Sequence, residues 1–260
     1  MKRLLVSLFV ALSAGFSPVA QADTNQAITA LWIGDSYTFG AGVAQPTLYG
    51  EGWLVSADLG WKPRLDAEGG TGFTNPGPPA YHFVALPNRL PGDAAISPPP
   101  QIVVIDAGRN DSGAQFSAEA AVVRAYMAQA SRDFPRSRVL VITPWTMWGT
   151  STDYLPLRCL LAEQARNYNF AYLDPIEEGW ASTPTTYALM DKTTWHPSEA
   201  GYVYIADHLK IEIPAALAGK NQDFPPACAQ VLSGAPRPGT LRAEDPRPAG
   251  DVITLLLLAS

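Results

Sequence analysis

The sequence predicts a three-layer α/β/α sandwich with a five-stranded parallel sheet at its centre. Two observations support this fold class. Short runs rich in Val, Ile and Leu recur along the chain, and longer stretches with helical spacing separate them. This alternation is typical of parallel sheets, because crossover helices return the chain to the same end of the sheet and cover both of its faces.

The individual elements follow from these two spacings. Buried strands are predicted at residues 28–33, 102–105, 139–142 and 170–173, with a weaker candidate at 64–66. Helical spacing occurs at residues 52–60, 118–132, 155–168 and 198–217. The Pro-rich segment at 76–100 lacks regular periodicity, so we expect it to form surface excursions that shape access to a site.

The start of the chain has the composition of a signal peptide. Lys2 and Arg3 precede an apolar run, and Ala20-Gln21-Ala22 matches a small-x-small cleavage site. Residues 1–22 are therefore predicted to be removed during export.

Cleavage at this point leaves one α/β domain at residues 23–232 and a Pro-rich tail at 233–260, which we predict to be extended. The mature chain has no apolar stretch of the roughly 20 residues that a membrane helix needs. We expect a secreted or periplasmic protein without an integral membrane span in its mature part.

The charge of the mature chain narrows the class of partner. Of the 18 basic residues, the leader contains Lys2 and Arg3, so 16 remain against 24 acidic residues, a formal charge of −8. This excess of negative charge argues against nucleic acid as a partner and favours a neutral or weakly charged small molecule or glycan.

The chain has two cysteines, Cys159 and Cys228. Export would place them in an oxidising compartment, where a disulfide between them would persist. Two unpaired buried thiols are the alternative, because cysteine also packs as a small apolar residue.

A serine and a histidine form a candidate catalytic pair. Ser36 follows the first predicted strand, at a turn where backbone N–H groups can meet a developing oxyanion. A serine nucleophile needs a base, and the chain has three histidines. His82 lies in the Pro-rich segment and His208 within the last predicted helix. His196 is the better candidate base, because Pro197 holds it in a loop at the entrance of a helix.

Polar and Gly-rich clusters follow two further strands. Gly69-Gly70-Thr71-Gly72 comes after the weak second strand, and Gly108-Arg109-Asn110-Asp111 comes after the third. The carboxyl ends of parallel strands meet at one edge of a sheet, where ligands bind. We expect Asp35 and Asp111 to shape their loops rather than to act as bases.

Four blocks of the chain, taken together, resemble the SGNH subgroup of the GDSL esterase and lipase family. The blocks are Gly-Asp-Ser-Tyr-Thr-Phe-Gly at 34–40, Gly-Gly-Thr-Gly-Phe-Thr at 69–74, Gly-Arg-Asn-Asp at 108–111 and His-Pro-Ser-Glu-Ala-Gly at 196–201. The resemblance covers residues 28–217 and implies a flavodoxin-like order of the parallel strands.

The resemblance also implies roles for individual residues. Ser36 would be the nucleophile, and the oxyanion hole would comprise the Ser36 N–H, the Gly72 N–H and the Asn110 side-chain amide. Gly72 is favoured over Gly70 because the family places its glycine directly before a residue that is followed by Thr. Physical reasoning agrees, since a glycine lets the backbone approach a substrate and an amide donates without carrying charge.

One departure from the family concerns the acid that orients the histidine. The family places an Asp three residues before the catalytic His, and this chain has Thr193 there. Asp191 lies five residues before His196, so either a bulged loop brings its carboxylate to the imidazole or a backbone carbonyl such as that of Thr193 orients the ring. We favour Asp191, because an ionised carboxylate fixes the tautomer and stabilises the imidazolium.

The resemblance therefore implies an exported serine esterase that hydrolyses carboxylic esters by acyl transfer, without a metal or organic cofactor. A carbohydrate O-acetylesterase would use the same residues in a more polar cleft. A non-catalytic glycan-binding module on the same fold is the alternative from another class, because a fold alone does not determine function.

Overall fold

The computed structural model describes residues 27–111, 116–148, 154–220 and 224–232. The predicted signal peptide at 1–22 and the predicted tail at 233–260 lie outside the described residues. Their boundaries therefore stay predictions.

A five-stranded parallel sheet forms the centre of the molecule, as predicted. Its strands are β1 (Thr29–Gly34), β2 (Lys62–Ala67), β3 (Ile102–Asp106), β4 (Arg138–Ile142) and β5 (Ala171–Leu173). They are ordered β2-β1-β3-β4-β5, which is the flavodoxin-like order. The weak second candidate is a full strand that pairs with β1 along its whole length, from Thr29 opposite Lys62 to Gly34 opposite Ala67.

Helices cover both faces of this sheet. They are α1 (Ser36–Phe39), α2 (Pro46–Tyr49), α3 (Glu51–Asp58), α4 (Leu86–Ala94), α5 (Phe116–Asp133), α6 (Leu155–Asn167), α7 (Pro184–Ala188), α8 (Glu199–Leu217) and α9 (Pro226–Leu232). A short ribbon of β6 (Met190–Asp191) and β7 (His196–Pro197) precedes α8.

Side chains alternate between the two faces of the strands and so divide the core in two. Leu31 and Ile33 of β1 pack into the core that α4, α5 and α6 cover. Ala30 and Trp32 pack into the core beneath α3 and α8. This period of two is what β geometry requires, and it confirms the three-layer arrangement.

The Pro-rich segment differs from its prediction, because residues 86–94 of it form α4. Leu86 and Leu90 lie one helical turn apart and are buried in the core. Pro87 sits in the first turn of the helix, where a missing N–H breaks no helical hydrogen bond. The neighbouring prolines hid the helical spacing of the two leucines.

The two cysteines form a disulfide, so the alternative of two free thiols is wrong. Cys159 in α6 and Cys228 in α9 have an S–S distance of 2.03 Å and are separated by 69 positions in the chain. The bridge fastens the last described helix to α6. None of the helices within the described ranges is long and apolar enough to cross a membrane.

Removing this bridge should destabilise the protein without stopping its chemistry. A Cys159→Ala/Cys228→Ala variant should lose about 4 kcal/mol of unfolding free energy, the chain-entropy value for a loop of this length. Urea unfolding of the oxidised wild type and the variant measures the difference. The reduced wild type is the control, and an unchanged urea midpoint would contradict the prediction.

Candidate active site

Ser36 lies where β1 passes directly into a short helix. Asp35 is the N-cap of α1, and its carboxylate accepts a 3.0 Å hydrogen bond from the Tyr37 N–H. Any Cβ at Gly34 would collide with the Thr38 side chain, so glycine is required for this tight return. The turn holds Ser36 at the carboxyl end of β1, almost buried but with 7 % of its surface exposed.

The structure brings His196 beside the same helix. His196 is on β7, which contacts α1, and its ring lies 6.1 Å from the ring of Tyr37. Gly42, with a φ of +90°, passes so close that a Cβ there would meet the His196 side chain at 2.7 Å. His82 and His208 lie elsewhere: His82 caps a 3₁₀ turn, and His208 stacks on Trp180 with ring centroids 4.7 Å apart.

A backbone carbonyl, and not the predicted carboxylate, holds the imidazole. His196 Nδ1 lies 2.7 Å from the Thr194 carbonyl oxygen. Trp195 between them has a φ of +58°, and this left-handed residue folds the carbonyl back toward the ring. The carbonyl only accepts, so Nδ1 donates and Nε2 is left as an acceptor.

Asp191 is placed differently from its prediction. Its carboxylate accepts a 2.8 Å hydrogen bond from the Thr193 N–H, and no hydrogen bond or ion pair among the described residues joins it to the imidazole. The Asp191 carboxylate therefore forms its hydrogen bond within its own loop. The alternative of a carbonyl partner is the arrangement present, with Thr194 in place of Thr193.

The surroundings of His196 favour a neutral ring. Burial lowers its pKa, because an imidazolium loses hydration there. The Thr194 carbonyl and the negative charge of Asp191 act in the opposite direction and do not cancel this effect. A neutral imidazole at neutral pH is the form that can accept a proton.

Within the block at 69–72, it is Gly69 that approaches the Ser36 side chain, whereas Gly72 is the glycine predicted to donate to the oxyanion. The Gly72 N–H donates to the Asn75 carbonyl at 2.8 Å, so it is already used within its own turn. A Cβ built on Gly69 would lie 3.8 Å from the Ser36 Cβ. Across the described residues, neither the Gly69 N–H nor the Ser36 N–H has an acceptor.

The pairing of β1 with β2 could have pointed to Gly69. Gly34 and Ala67 end the paired strands opposite each other. Ser36 and Gly69 each follow two positions later, so parallel pairing carries both to the same edge. Gly69 was overlooked because the motif was aligned on the Gly and Thr at the end of the block.

Asn110 lies in the turn after β3 and contacts the turns that follow β1 and β2. Its side-chain amide donates to the Thr71 carbonyl at 2.9 Å and to an Asp35 carboxylate oxygen at 3.2 Å. The neighbouring Asp111 accepts from the Phe73 N–H at 2.8 Å and from the Thr74 N–H at 2.7 Å. Asp35 and Asp111 thus shape their loops, as expected.

A buried cluster of charge lies beneath these turns. The Arg109 guanidinium contacts Asp35 at 3.1 Å and Asp106 at 2.6 Å, and it lies 4.0 Å from Glu51. All three carboxylates are fully buried. Arg109 also packs over the ring of Tyr37, 4.6 Å from its centroid.

One positive charge does not balance three buried carboxylates. Burial raises the pKa of Asp35 to about 6, although Arg109 opposes the shift. Burial and the negative charge of Asp106 raise the pKa of Glu51 well above its usual range. These surroundings favour the protonated form of the Glu51 carboxyl.

The chain matches a known enzyme family over most of the described residues. The model of the GDSL-like lipase/acylhydrolase family matches residues 32–204. This chain belongs to that family. Its members are carboxylic ester hydrolases, and the match runs from Trp32 within β1 to Tyr204 in the first third of α8.

Relatives and solved structures agree with the GDSL family assignment. A GDSL lipase of Mycobacterium tuberculosis is 31% identical over 199 residues, covering 72% of this chain and 82% of its own. An aryl esterase of Mycobacterium smegmatis superposes with a TM-score of 0.54 at 16% identity, covering 73% of this chain and 100% of its own.

A family two carbohydrate esterase from Clostridium thermocellum, solved with cellohexaose, gives a TM-score of 0.54 at 21% identity and covers 74% of this chain. The chain spans 65% of that esterase's length. At these identities the structural likenesses establish a shared GDSL-type fold.

Replacing Glu51 should reveal its protonation. Because its pKa in the folded state lies above that in the unfolded chain, Glu51 costs stability as pH rises above 4.5 toward the raised value. Glu51→Gln removes this cost. Its gain in unfolding free energy over the wild type should grow as pH rises above 4.5, as measured by urea unfolding at a series of pH values. The exposed Glu199→Gln is the control, and a gain independent of pH would contradict the raised pKa of Glu51.

Proposed function

We propose that this protein is an exported serine esterase in which Ser36 and His196 hydrolyse carboxylic esters by an acyl-enzyme mechanism. One observation carries the proposal: the imidazole beside α1 commits Nδ1 to a carbonyl and leaves Nε2 as a proton acceptor. The family supports ester hydrolysis, and the disulfide and the predicted signal peptide support export.

The first half of the reaction forms the acyl-enzyme. His196 Nε2 takes the proton of the Ser36 hydroxyl, and Oγ attacks the carbonyl carbon of the ester. The carbonyl oxygen becomes an oxyanion. The imidazolium then gives its proton to the leaving alkoxide, the ester C–O bond breaks, and the acyl group stays on Ser36.

The second half repeats these steps with water. His196 Nε2 takes a proton from water, the resulting hydroxide oxygen attacks the acyl carbon, and a second oxyanion forms. The imidazolium returns the proton to Ser36 Oγ as the acyl–oxygen bond breaks. The carboxylic acid leaves and the enzyme regains its starting state.

We assign the oxyanion hole to the N–H groups of Ser36 and Gly69 and to the Asn110 amide. The two N–H groups lie at the ends of adjacent strands and have no described acceptor. Asn110 already donates both amide hydrogens, so the oxyanion takes one of them over. The longer bond, 3.2 Å to Asp35, is the one to be exchanged.

A carbohydrate O-acetylesterase is the second candidate. The negative charge of the mature chain suits a neutral ester, and the likeness to a carbohydrate esterase shows that this fold can serve such a substrate. A glycan-binding module without catalysis remains the proposal's rival from another class.

Activity measurements separate these candidates. Wild type should hydrolyse p-nitrophenyl acetate, and Ser36→Ala should lower kcat by about 10³-fold or more, because the nucleophile is gone. Ser198→Ala, a helix cap, is the serine control. Equal rates for wild type and Ser36→Ala would sink the nucleophile assignment and leave the binding module. Comparison of p-nitrophenyl palmitate with acetylated xylan then separates lipase from carbohydrate esterase.

Asp191 should be far less important than a triad acid. Asp191→Asn should lower kcat/KM by less than about 10-fold, whereas loss of an orienting aspartate costs about 10⁴-fold in a triad. The carboxylate raises the pKa of His196, so its removal should move the acidic limb of the pH–rate profile to lower pH. A loss of about 10³-fold or more would restore Asp191 as the orienting acid.

The oxyanion donors can be located directly. A crystal structure of the enzyme phosphonylated on Ser36 should place the phosphonyl oxygen about 2.7–3.1 Å from Ser36 N, Gly69 N and Asn110 Nδ2. Asn110→Ala should lower kcat by about 10²- to 10³-fold. A phosphonyl oxygen hydrogen-bonded to Gly72 N instead of Gly69 N would contradict the assignment of Gly69. It would show that the hydrogen bond from Gly72 to Asn75 opens in the complex.

A further inference from the structure

Arg89 is a buried arginine that takes no part in the proposed acyl-transfer steps. It lies on α4, and only 5% of its side chain is exposed. One guanidinium nitrogen donates to the Gly34 carbonyl at 3.1 Å and to the Thr71 hydroxyl at 3.3 Å. The other donates to the Asp66 carbonyl at 3.3 Å and its carboxylate at 3.0 Å. A single planar group thus joins the ends of β1 and β2 to the loop that follows β2.

These contacts lie on both sides of the proposed oxyanion hole. Gly34 is the last residue of β1 and precedes Ser36 by two positions. The Thr71 hydroxyl donates to the Glu68 carbonyl at 2.7 Å and closes the turn that contains Gly69. Movement of either side would change the spacing between the N–H groups of Ser36 and Gly69.

The sheet itself does not fix this spacing. Strand pairing between β1 and β2 ends at Gly34 and Ala67, and one further bond runs from the Glu68 N–H to the Gly34 carbonyl at 3.3 Å. Beyond that point Gly69 depends on its turn. The planar guanidinium donates in fixed directions, which a flexible ammonium would not reproduce.

We propose that Arg89 is a positioning residue for ester hydrolysis, which sets the spacing between the Ser36 and Gly69 N–H groups through Gly34 and Thr71. This inference rests on the proposed function. Oxyanion donors act on charge that develops in the transition state. Loss of Arg89 therefore lowers kcat and the affinity for a tetrahedral adduct, and leaves KM nearly unchanged.

Two pairs of variants test this role. Arg89→Lys keeps the charge and loses the planar fork, and Arg158→Lys is its matched control. Arg158 is equally buried and pairs with Asp174 at 2.8 Å, but it lies beside β5 at the far side of the sheet. Thr71→Val keeps the shape and loses the hydroxyl, and Thr71→Ser restores it.

The readouts are kcat and KM for p-nitrophenyl acetate and the inhibition constant of phenylboronic acid. Arg89→Lys and Thr71→Val should lower kcat by about 10- to 100-fold, weaken phenylboronic acid by a similar factor and change KM less than about twofold. Thr71→Ser should recover most of the rate lost in Thr71→Val. Arg158→Lys should lower the unfolding midpoint without this fall in kcat.

Three results would overturn the positioning role. They are wild-type kcat in Arg89→Lys and Thr71→Val, a rise in KM alone, and the same fall in kcat in Arg158→Lys. If Arg89→Lys does not fold, the Thr71 pair decides. Full activity in Ser36→Ala would instead remove the proposed function, which separates the two failures.

Discussion

The Arg109 guanidinium, buried between Asp35 and Asp106, supports most of the candidate site. Asp35 begins the helix of the nucleophile and holds the amide of Asn110, and it can do both only as an acceptor. Burial opposes its ionised form, and Arg109 is the positive charge that favours it. The turn after β1 and the turn after β3 are therefore joined by one ion pair in a dry environment, where such a pair is costly to break from one side.

The sequence was sufficient for the fold and for the positions that local chemistry marks. Alternating apolar runs and helical spacings predicted the five-stranded parallel sheet. The turn after the first strand and the Pro that follows His196 selected two residues that lie on contacting elements, Ser36 on α1 and His196 on β7. Asn110 was found because it follows a third strand at the same edge. In each case a short-range pattern and the topology of a parallel sheet were enough.

The remaining parts of the site depend on the orientations of N–H groups and side chains, which cannot be read from a sequence. Gly72 and Gly69 are three residues apart in one loop, and the sequence does not reveal that the Gly72 N–H already donates to the Asn75 carbonyl. Asp191 is the right residue type near His196, but its carboxylate turns back to its own loop. Arg89 was hidden in a Pro-rich segment, and its contacts reach residues 55 positions earlier in the chain.

The bond between His196 and the Thr194 carbonyl also affects how this site can evolve. An orienting carboxylate is lost by a single substitution, whereas every amino acid at position 194 supplies a main-chain oxygen. Fewer substitutions can therefore remove the hydrogen-bond partner of His196. Those that can are the ones that change the left-handed conformation of Trp195. Asp191 then acts on the site through the turn that it closes with the Thr193 N–H and through its charge. Substitutions that stiffen or extend the backbone at 195 would be the ones that selection removes.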